Sequence, residues 1–495
     1  MSVSFKGDPH ASGFYRPTRF EAHIIDCEVD GAVPSEMDGS FYRTCLDRRY
    51  PPRFPNDVFY NSDGAIDMFR FRGGHVDFRT RYIRTPRYIA ERKARRALFG
   101  LYRNRFTNDA SVEGVHSGTA NTTPVLHGGK LYALKEDSLP VEIDPHTLKT
   151  YGETDFGGKM TSPTFTAHPK LDPETGEMIA FSYEAKGDVT DDLAVWFFDK
   201  AGNISRDVWF KSPVVSMMHD MAITDQHVIL PTTGMVTDLA RLKRGELHWA
   251  YDKTVPAHIA ILPRDGEARD VRWFKGSPKQ AMLVHTTHAR TEGDKVILEA
   301  PVASGNFNPD FPNVDGSPYD PTGRTPTMRR WTFDLSSKDD TFREEILFGG
   351  LMATSFTRID DRFTTRPFRY SYMMLTDKSF PFNEDCRGQL WGPPINAWYR
   401  FDHHTGKINK FFPGPDYSMT EPQFVPRHAD APEGDGFLIG AGNNLNEGHT
   451  ELLIVDAQNL EGGTLARVKL PFRLHMQVHG SWVPSTELPF DFDAD

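Results

Sequence analysis

Trp398-Tyr399-Arg400-Phe401-Asp402-His403-His404-Thr405-Gly406 is an aromatic, apolar run closed by a polar bend. Aromatic residues suit the pleated surface of a strand, and Asp with a following Gly supplies turn chemistry. The stretch therefore reads as one β-strand and the turn that ends it. The same signature recurs in Val141-Glu142-Ile143-Asp144-Pro145 and Val195-Trp196-Phe197-Phe198-Asp199-Lys200-Ala201-Gly202. It returns in Ile259-Ala260-Ile261-Leu262-Pro263-Arg264-Asp265-Gly266, Trp331-Thr332-Phe333-Asp334 and Leu453-Ile454-Val455-Asp456. The marks lie roughly 55–70 residues apart, the scale of a four-stranded propeller blade with insertions. With a strand-like N-terminal region they predict an all-β propeller of six or seven blades. Two unrelated β-sandwiches would leave the same marks only by coincidence of spacing.

Between the marks, Arg87 to about Arg105 predicts a helix. Ile89, Ala90, Ala94, Ala97, Leu98, Leu101 and Tyr102 fall mostly on one face, with Arg92, Lys93, Arg95 and Arg96 elsewhere. Such a basic, apolar-striped helix can lie on a membrane surface. This stripe is thin and Ala-rich, which favours packing on the propeller and argues against strong membrane association. The stretch from Asn306 to Pro326, rich in Pro, Gly, Asn and Asp, reads as a long insertion loop. No low-complexity linker divides the chain, so residues 1–495 are expected to form a single domain.

Composition removes several function classes. The chain has 57 Lys and Arg against 68 Asp and Glu, a net charge of -11, which disfavours nucleic acid as a partner. The N-terminus has no signal-peptide core, and no run approaches the ~18 apolar residues of a membrane helix, so a cytoplasmic protein is expected. Cys27, Cys45 and Cys386 are odd in number and widely spaced, which disfavours a disulfide framework and a zinc–thiolate site. Asn121-Thr122-Thr123 and Asn203-Ile204-Ser205 match a glycosylation pattern that is irrelevant without secretion. His75-Val76-Asp77 matches the H-x-D of another ferrous oxygenase class. It follows Gly73-Gly74 in a strand, where alternation alone puts both residues on one face. Gly114-Val115-His116-Ser117-Gly118 misses the nucleophile elbow by one position, and no P-loop or complete dinucleotide fingerprint is present.

Of the 19 histidines, most fall in turns or exposed-looking stretches and carry no chemistry. Four differ in context. His168 follows Phe165-Thr166-Ala167, His219 follows Val214-Val215-Ser216-Met217-Met218, and His285 follows Ala281-Met282-Leu283-Val284. His479 opens His479-Gly480-Ser481-Trp482-Val483-Pro484. If they converge, they form a neutral, all-imidazole site. Such a site can hold ferrous iron and leave coordination positions for dioxygen. Structural zinc would instead take a closed tetrahedral shell, usually with thiolates.

The chain resembles the carotenoid cleavage oxygenase family, including its lignostilbene dioxygenases, nearly end to end. Gly31 to Arg43 (with Pro34, Asp38 and Gly39) resembles the family's entry motif. Ser62-Asp63-Gly64 with Met68-Phe69-Arg70-Phe71 resembles its Asp-Gly-Asp-Gly-Met region. Thr119-Ala120-Asn121-Thr122 leading to Leu131-Tyr132-Ala133-Leu134-Lys135-Glu136 matches in order and spacing, as do Glu421-Pro422-Gln423-Phe424-Val425-Pro426 and the terminal His479-Gly480-Ser481-Trp482.

The resemblance implies a seven-bladed β-propeller with a helical and loop cap, about 86–106 and 303–327, over an iron-bearing face. It implies Fe(II) held by His168, His219, His285 and His479, with Glu136 and Glu421 orienting ligand rings from behind. A third such glutamate belongs to a Glu-Phe-Pro-Arg-Ile type motif that reads Ser355-Phe356-Thr357-Arg358-Ile359 here. His288 stands where the family often has Asn, and His285 is the preferred ligand of the two. In lignostilbene-type members a Tyr and a Lys bind the substrate's 4-hydroxyl and a Phe stacks on its ring; Tyr102, Lys135 and Phe307 match by local context. The implied reaction is cleavage of the central C=C bond of a 4-hydroxystilbene, of lignostilbene or resveratrol type, by O2 to two aromatic aldehydes. Tyr102 and Lys135 would act on the phenol as catalytic groups. Carotenoid or apocarotenoid cleavage is the alternative reaction, and a propeller that only binds partners is the non-catalytic one. Lys135 and Glu136 are neighbours, and on an ideal strand they would face opposite sides. Family members often pair as homodimers, an implication of the resemblance alone.

Overall fold

The structure is a computed structural model and describes residues 3–8, 10–349 and 356–489. Every run read from sequence is a strand: Val141–Ile143, Asp192–Phe198, His258–Pro263, Thr327–Asp334, Ala397–Asp402 and His449–Asp456. Each is the third strand of an antiparallel meander, counting an interrupted first strand as one. The turn chemistry behaves as predicted. Asp144 accepts hydrogen bonds from the N–H groups of His146 and Thr147 at 3.0 and 2.7 Å. Asp402 accepts from His404 and Thr405 at 2.9 and 3.3 Å, and Asp456 from Gln458 at 2.8 Å. Asp192–Phe198 is buried along its whole length, as is its neighbour Met178–Tyr183. A strand covered on both faces has no reason to alternate, which explains continuous apolar runs in place of a period of two.

The remaining large sheet joins the two ends of the chain. Met476–Pro484 pairs with Gly39–Leu46, which continues to Gly64–Arg72 and His75–Tyr82. Its third strand runs into Gly73 and Gly74, at φ +58° and +85°, with no Asp at the turn. That is why only six blades were marked. The architecture is the expected seven-bladed β-propeller.

The chain divides into two compact units, residues 1–100, 108–154 and 370–495 in one, and 101–107 and 155–369 in the other. The first contains a Phe-rich core of Phe41, Phe69, Phe71, Phe78 and Phe437. The second packs Ile259, Phe274, Leu298, Trp331 and Phe333. His168, His219, His285, Tyr102 and Phe307 belong to the second unit, and Lys135, Glu136, Glu421 and His479 to the first.

The predicted helix is shorter than expected. It spans Pro86–Ala94, with Pro86 at its first position and the Thr85 hydroxyl accepting from the Tyr88 N–H at 3.2 Å. Arg95 follows at φ +56°, and the Glu91 carboxylate accepts the N–H groups of Leu98 and Phe99 at 2.8 and 3.1 Å. Those bonds draw the chain out of the helix, so Tyr102 lies in a loop and does not end a helix. Residues between Ala303 and Thr327 carry no strand or helix, as the insertion loop predicts. His75 is exposed and pairs with Asp26 at 2.9 Å, so the H-x-D match is a surface contact. All three cysteines are buried thiols. Among the described residues, no helix is long and apolar enough to cross a membrane.

Candidate metal centre

Each histidine is set at a break in regular structure. His168 lies just before Lys170–Leu171, with its N–H donated to the Thr166 hydroxyl at 2.9 Å. His219 lies in the irregular segment before Ala222–Ile223. His285 occupies an interruption in an edge strand. Leu283 pairs with Val302 but His288 pairs with Glu299, so residues 284–287 must fit opposite Ala300 and Pro301. A bulge of this kind re-aims a side chain. His479 sits at the same kind of feature, where Gln477 pairs with Cys45 and Gly480 with Arg43. Gly480 is required there, because a Cβ would stand 2.5 Å from the Phe41 ring.

His168 and His219 approach through their Nε2 atoms at 3.0 Å, and His219 and His285 at 3.1 Å. The three rings are mutually tilted by 64°, 75° and 70°. A single Nε2 on His219 carries either one proton or one lone pair and cannot satisfy both neighbours by ordinary hydrogen bonds. A shared cation can satisfy all three. Nitrogens held ~2.1 Å from one ion at right angles are ~3.0 Å apart, whereas a tetrahedral shell spreads them to ~3.4 Å. One ring nitrogen from each of His168, His219 and His285 lies within 4.8 Å of the other two. The donor set thus fits a six-coordinate divalent transition metal better than structural zinc.

His479 directs Nδ1 at Glu421, 3.2 and 3.3 Å from its two carboxylate oxygens, and both residues are buried. Glu421 also accepts the Gly480 N–H at 3.3 Å. A proton held on Nδ1 fixes the tautomer that presents Nε2 as a donor. Glu136 is buried immediately after the strand Lys130–Leu134. The strand ends at Leu134, so Lys135 and Glu136 are not bound by strand alternation, and both side chains are buried. Lys135 is 5% exposed, unlike an ordinary surface lysine, and its Nζ donates to the Tyr60 carbonyl at 3.2 Å. Tyr102 is buried in the 101–107 segment. Phe307 is half-buried, in a loop shaped by Asn306, which accepts the Asn308 N–H at 3.0 Å and donates to the Phe311 carbonyl at 3.0 Å.

His288 stacks on Phe368 at 4.0 Å, and its Nε2 lies 3.1 and 2.8 Å from the carbonyls of Phe363 and Arg366. Burial lowers its basicity to a pKa of about 4. It is a core histidine, and His285 is the one that joins the cluster. Ser355 lies outside the described residues; the adjacent Phe356 packs its ring 4.9 Å from that of His285.

Two groups escaped the sequence reading. Asp220 follows His219 and is buried among the histidine-bearing segments. Its place directly after His219 was the available signal. The other is a buried ion cluster built on Arg103, which follows Tyr102 in the chain. Arg103 pairs with Glu184 and donates to the Tyr183 hydroxyl at 2.6 Å, while His248 Nε2 lies 3.1 Å from Glu184 and its Nδ1 2.9 Å from the Arg103 carbonyl. Those residues are scattered in sequence and carry no joint signature.

Residues 15–484 match the family model described as RPE65, retinal pigment epithelial membrane protein. The chain is 41% identical over 480 residues to a lignostilbene-alpha,beta-dioxygenase, isozyme III, of Sphingomonas paucimobilis, covering 97% of each chain. It is 38% identical over 482 residues to an isoeugenol monooxygenase of Pseudomonas putida, covering 97% of this chain and 99% of that one. The crystal structure of a Pseudomonas brassicacearum lignostilbene dioxygenase superposes with a TM-score of 0.92 at 39% identity, covering 98% and 100% of the two chains.

Proposed function

The chain belongs to the RPE65, or carotenoid cleavage oxygenase, family and is an oxygenase that cleaves carbon–carbon double bonds, and from that premise we propose that it is an iron(II) dioxygenase splitting the central double bond of 4-hydroxystilbenes. In the reaction the C=C bond breaks, each carbon takes one atom of O2, and two aromatic aldehydes form. The atoms balance without an external reductant. His168, His219, His285 and His479 would hold the metal, and ferrous iron supplies an open coordination position for reducing dioxygen.

The substrate class rests on one observation above all: a buried lysine directly beside the family-matched Glu136. A buried ammonium is a strong charged donor, and a phenolate is an acceptor that it stabilises. Lys135 and the Tyr102 hydroxyl are assigned to the substrate's 4-oxygen, where they stabilise it as its proton leaves. The resulting phenolate pushes charge through the conjugated ring into the olefin and makes it more easily oxidised. Phe307 is assigned to the face of the ring. Similarity to a lignostilbene dioxygenase supports this reading.

A second reading has its own support in the isoeugenol monooxygenase relative. Isoeugenol is also a 4-hydroxyphenyl olefin, with a methyl group in place of the second ring, so the same phenol contacts would serve. The discriminating experiment incubates iron-reconstituted protein under 18O2 with 4-hydroxystilbene, its 4-methoxy analogue, isoeugenol and an apocarotenal. Rapid formation of two labelled aldehydes from 4-hydroxystilbene is the expected result. Preference for isoeugenol selects the second reading. Cleavage of the apocarotenal alone overturns the phenol assignment.

A further inference from the structure

The Asp220 carboxylate makes four contacts, and they reach all three segments that carry His168, His219 and His285. Its Oδ1 accepts the Met221 N–H at 2.7 Å and pairs with Lys170 Nζ at 2.8 Å. Its Oδ2 accepts the N–H of Thr286 at 2.7 Å and the Thr286 hydroxyl at 2.9 Å. That hydroxyl is also 2.8 Å from the Met221 carbonyl and divides its one proton between the two. Lys170 lies two residues after His168, and Thr286 directly follows His285. Asp220 is 2% exposed, so water does not compete for these bonds.

We propose that Asp220 is a positioning residue that sets the mutual placement of His168, His219 and His285 and so governs how tightly, and in what geometry, the protein holds its metal. This rests on the reading that those histidines bind the metal. The device differs from that of Glu421, which grips a ligand ring at Nδ1. Asp220 leaves the rings alone and ties down the chain next to each of them. All three histidines sit outside regular strands, where strand hydrogen bonds do not fix the backbone at the ligand. Nitrogens that must stand 3.0 and 3.1 Å apart tolerate little slack, and one carboxylate joining the three segments removes it.

The arrangement needs a carboxylate. Asparagine has the same shape but one oxygen. Its NH2 group would face either the Lys170 ammonium or the Thr286 N–H, donor against donor, so one of the three segments is released whichever way the amide turns.

The experiment titrates metal-free wild-type protein, Asp220→Asn, Lys170→Met and Thr286→Val with Co(II), following the visible ligand-field bands and the Kd, with circular dichroism to confirm folding. Asp220→Asn is expected to weaken Co(II) binding by ~10–100-fold, the usual effect of losing an outer support of a metal site, and to change band positions and intensities. Lys170→Met and Thr286→Val should each give a smaller loss in the same direction. Folded Asp220→Asn protein with the wild-type Kd and spectrum overturns the proposal. If Asp220→Asn does not fold, wild-type binding and spectra in both other variants overturn it equally. A wild-type protein that takes up no metal defeats the metal reading and this inference together, whereas metal uptake unchanged across the variants defeats this inference alone.

Discussion

Glu421 and His479 are linked through both carboxylate oxygens to one ring nitrogen, Nδ1, at 3.2 and 3.3 Å. The carboxylate therefore does two things: it keeps the proton on Nδ1 and sets the plane of the ring. Glu421→Gln keeps the shape, loses the charge and turns half of the acceptor into a donor. Metal affinity should fall by ~10–100-fold while the fold is retained. Metal content after dialysis against a weak chelator measures it, and wild-type retention would remove Glu421 from the site.

His219 contacts two other candidate ligands, through one nitrogen. His219→Ala should abolish tight metal binding and C=C cleavage together. His288→Asn, by contrast, should keep the metal, because His288 spends its Nε2 on the carbonyls of Phe363 and Arg366. Elemental analysis of both purified variants separates the roles. Metal loss in the His288 variant would reverse the assignment of His285.

Six blades were legible because their third strands run into Asp-containing turns, and at Asp144, Asp199, Asp334, Asp402 and Asp456 the side chain caps backbone N–H groups, a local device visible in sequence. The seventh was not, since its turn is Gly73-Gly74 and its strands come from opposite ends of the chain. The helix boundary failed for a related reason. Glu91 captures the N–H groups of Leu98 and Phe99, a contact made across a bend that periodicity cannot foresee. His168, His219, His285 and His479 could be picked out from their neighbours and from family motifs. Glu184 and His248 could not, because a carboxylate or imidazole that serves distant backbone or side-chain partners leaves no spacing to read, and Asp220 had only its place next to His219 to mark it.

The buried cluster of Arg103, Glu184 and His248 gives acid sensitivity with a definite sign. Burial alone would raise the Glu184 pKa, but Arg103 and His248 outweigh it and bring the carboxyl to about 2 from 4.5. A depressed carboxyl stabilises the fold fully above its unfolded value, and the contribution is lost as pH falls toward the folded one. For this 2% exposed group it is on the order of 3 kcal/mol at neutral pH. Glu184→Gln should therefore lower the urea midpoint at pH 7, and its deficit against wild type should shrink between about pH 5 and pH 2. A deficit independent of pH would mean that packing, and not charge, is what Glu184 supplies.

Lys135 and Tyr102 make a prediction that depends on the substrate as well as on the protein. If both act on the phenol oxygen, Lys135→Ala and Tyr102→Phe should each reduce kcat/KM for 4-hydroxystilbene, by ~100-fold or more where proton transfer limits the rate. The 4-methoxy analogue has no proton to lose. Wild type should cleave it slowly, and the variants should be no slower than wild type on it. Tyr102→Phe keeps the buried ring and removes only the hydroxyl, so a packing defect cannot produce that contrast. Equal losses on both substrates would show that these side chains shape the site without touching the phenol. Wild-type rates on both would take them out of the reaction altogether.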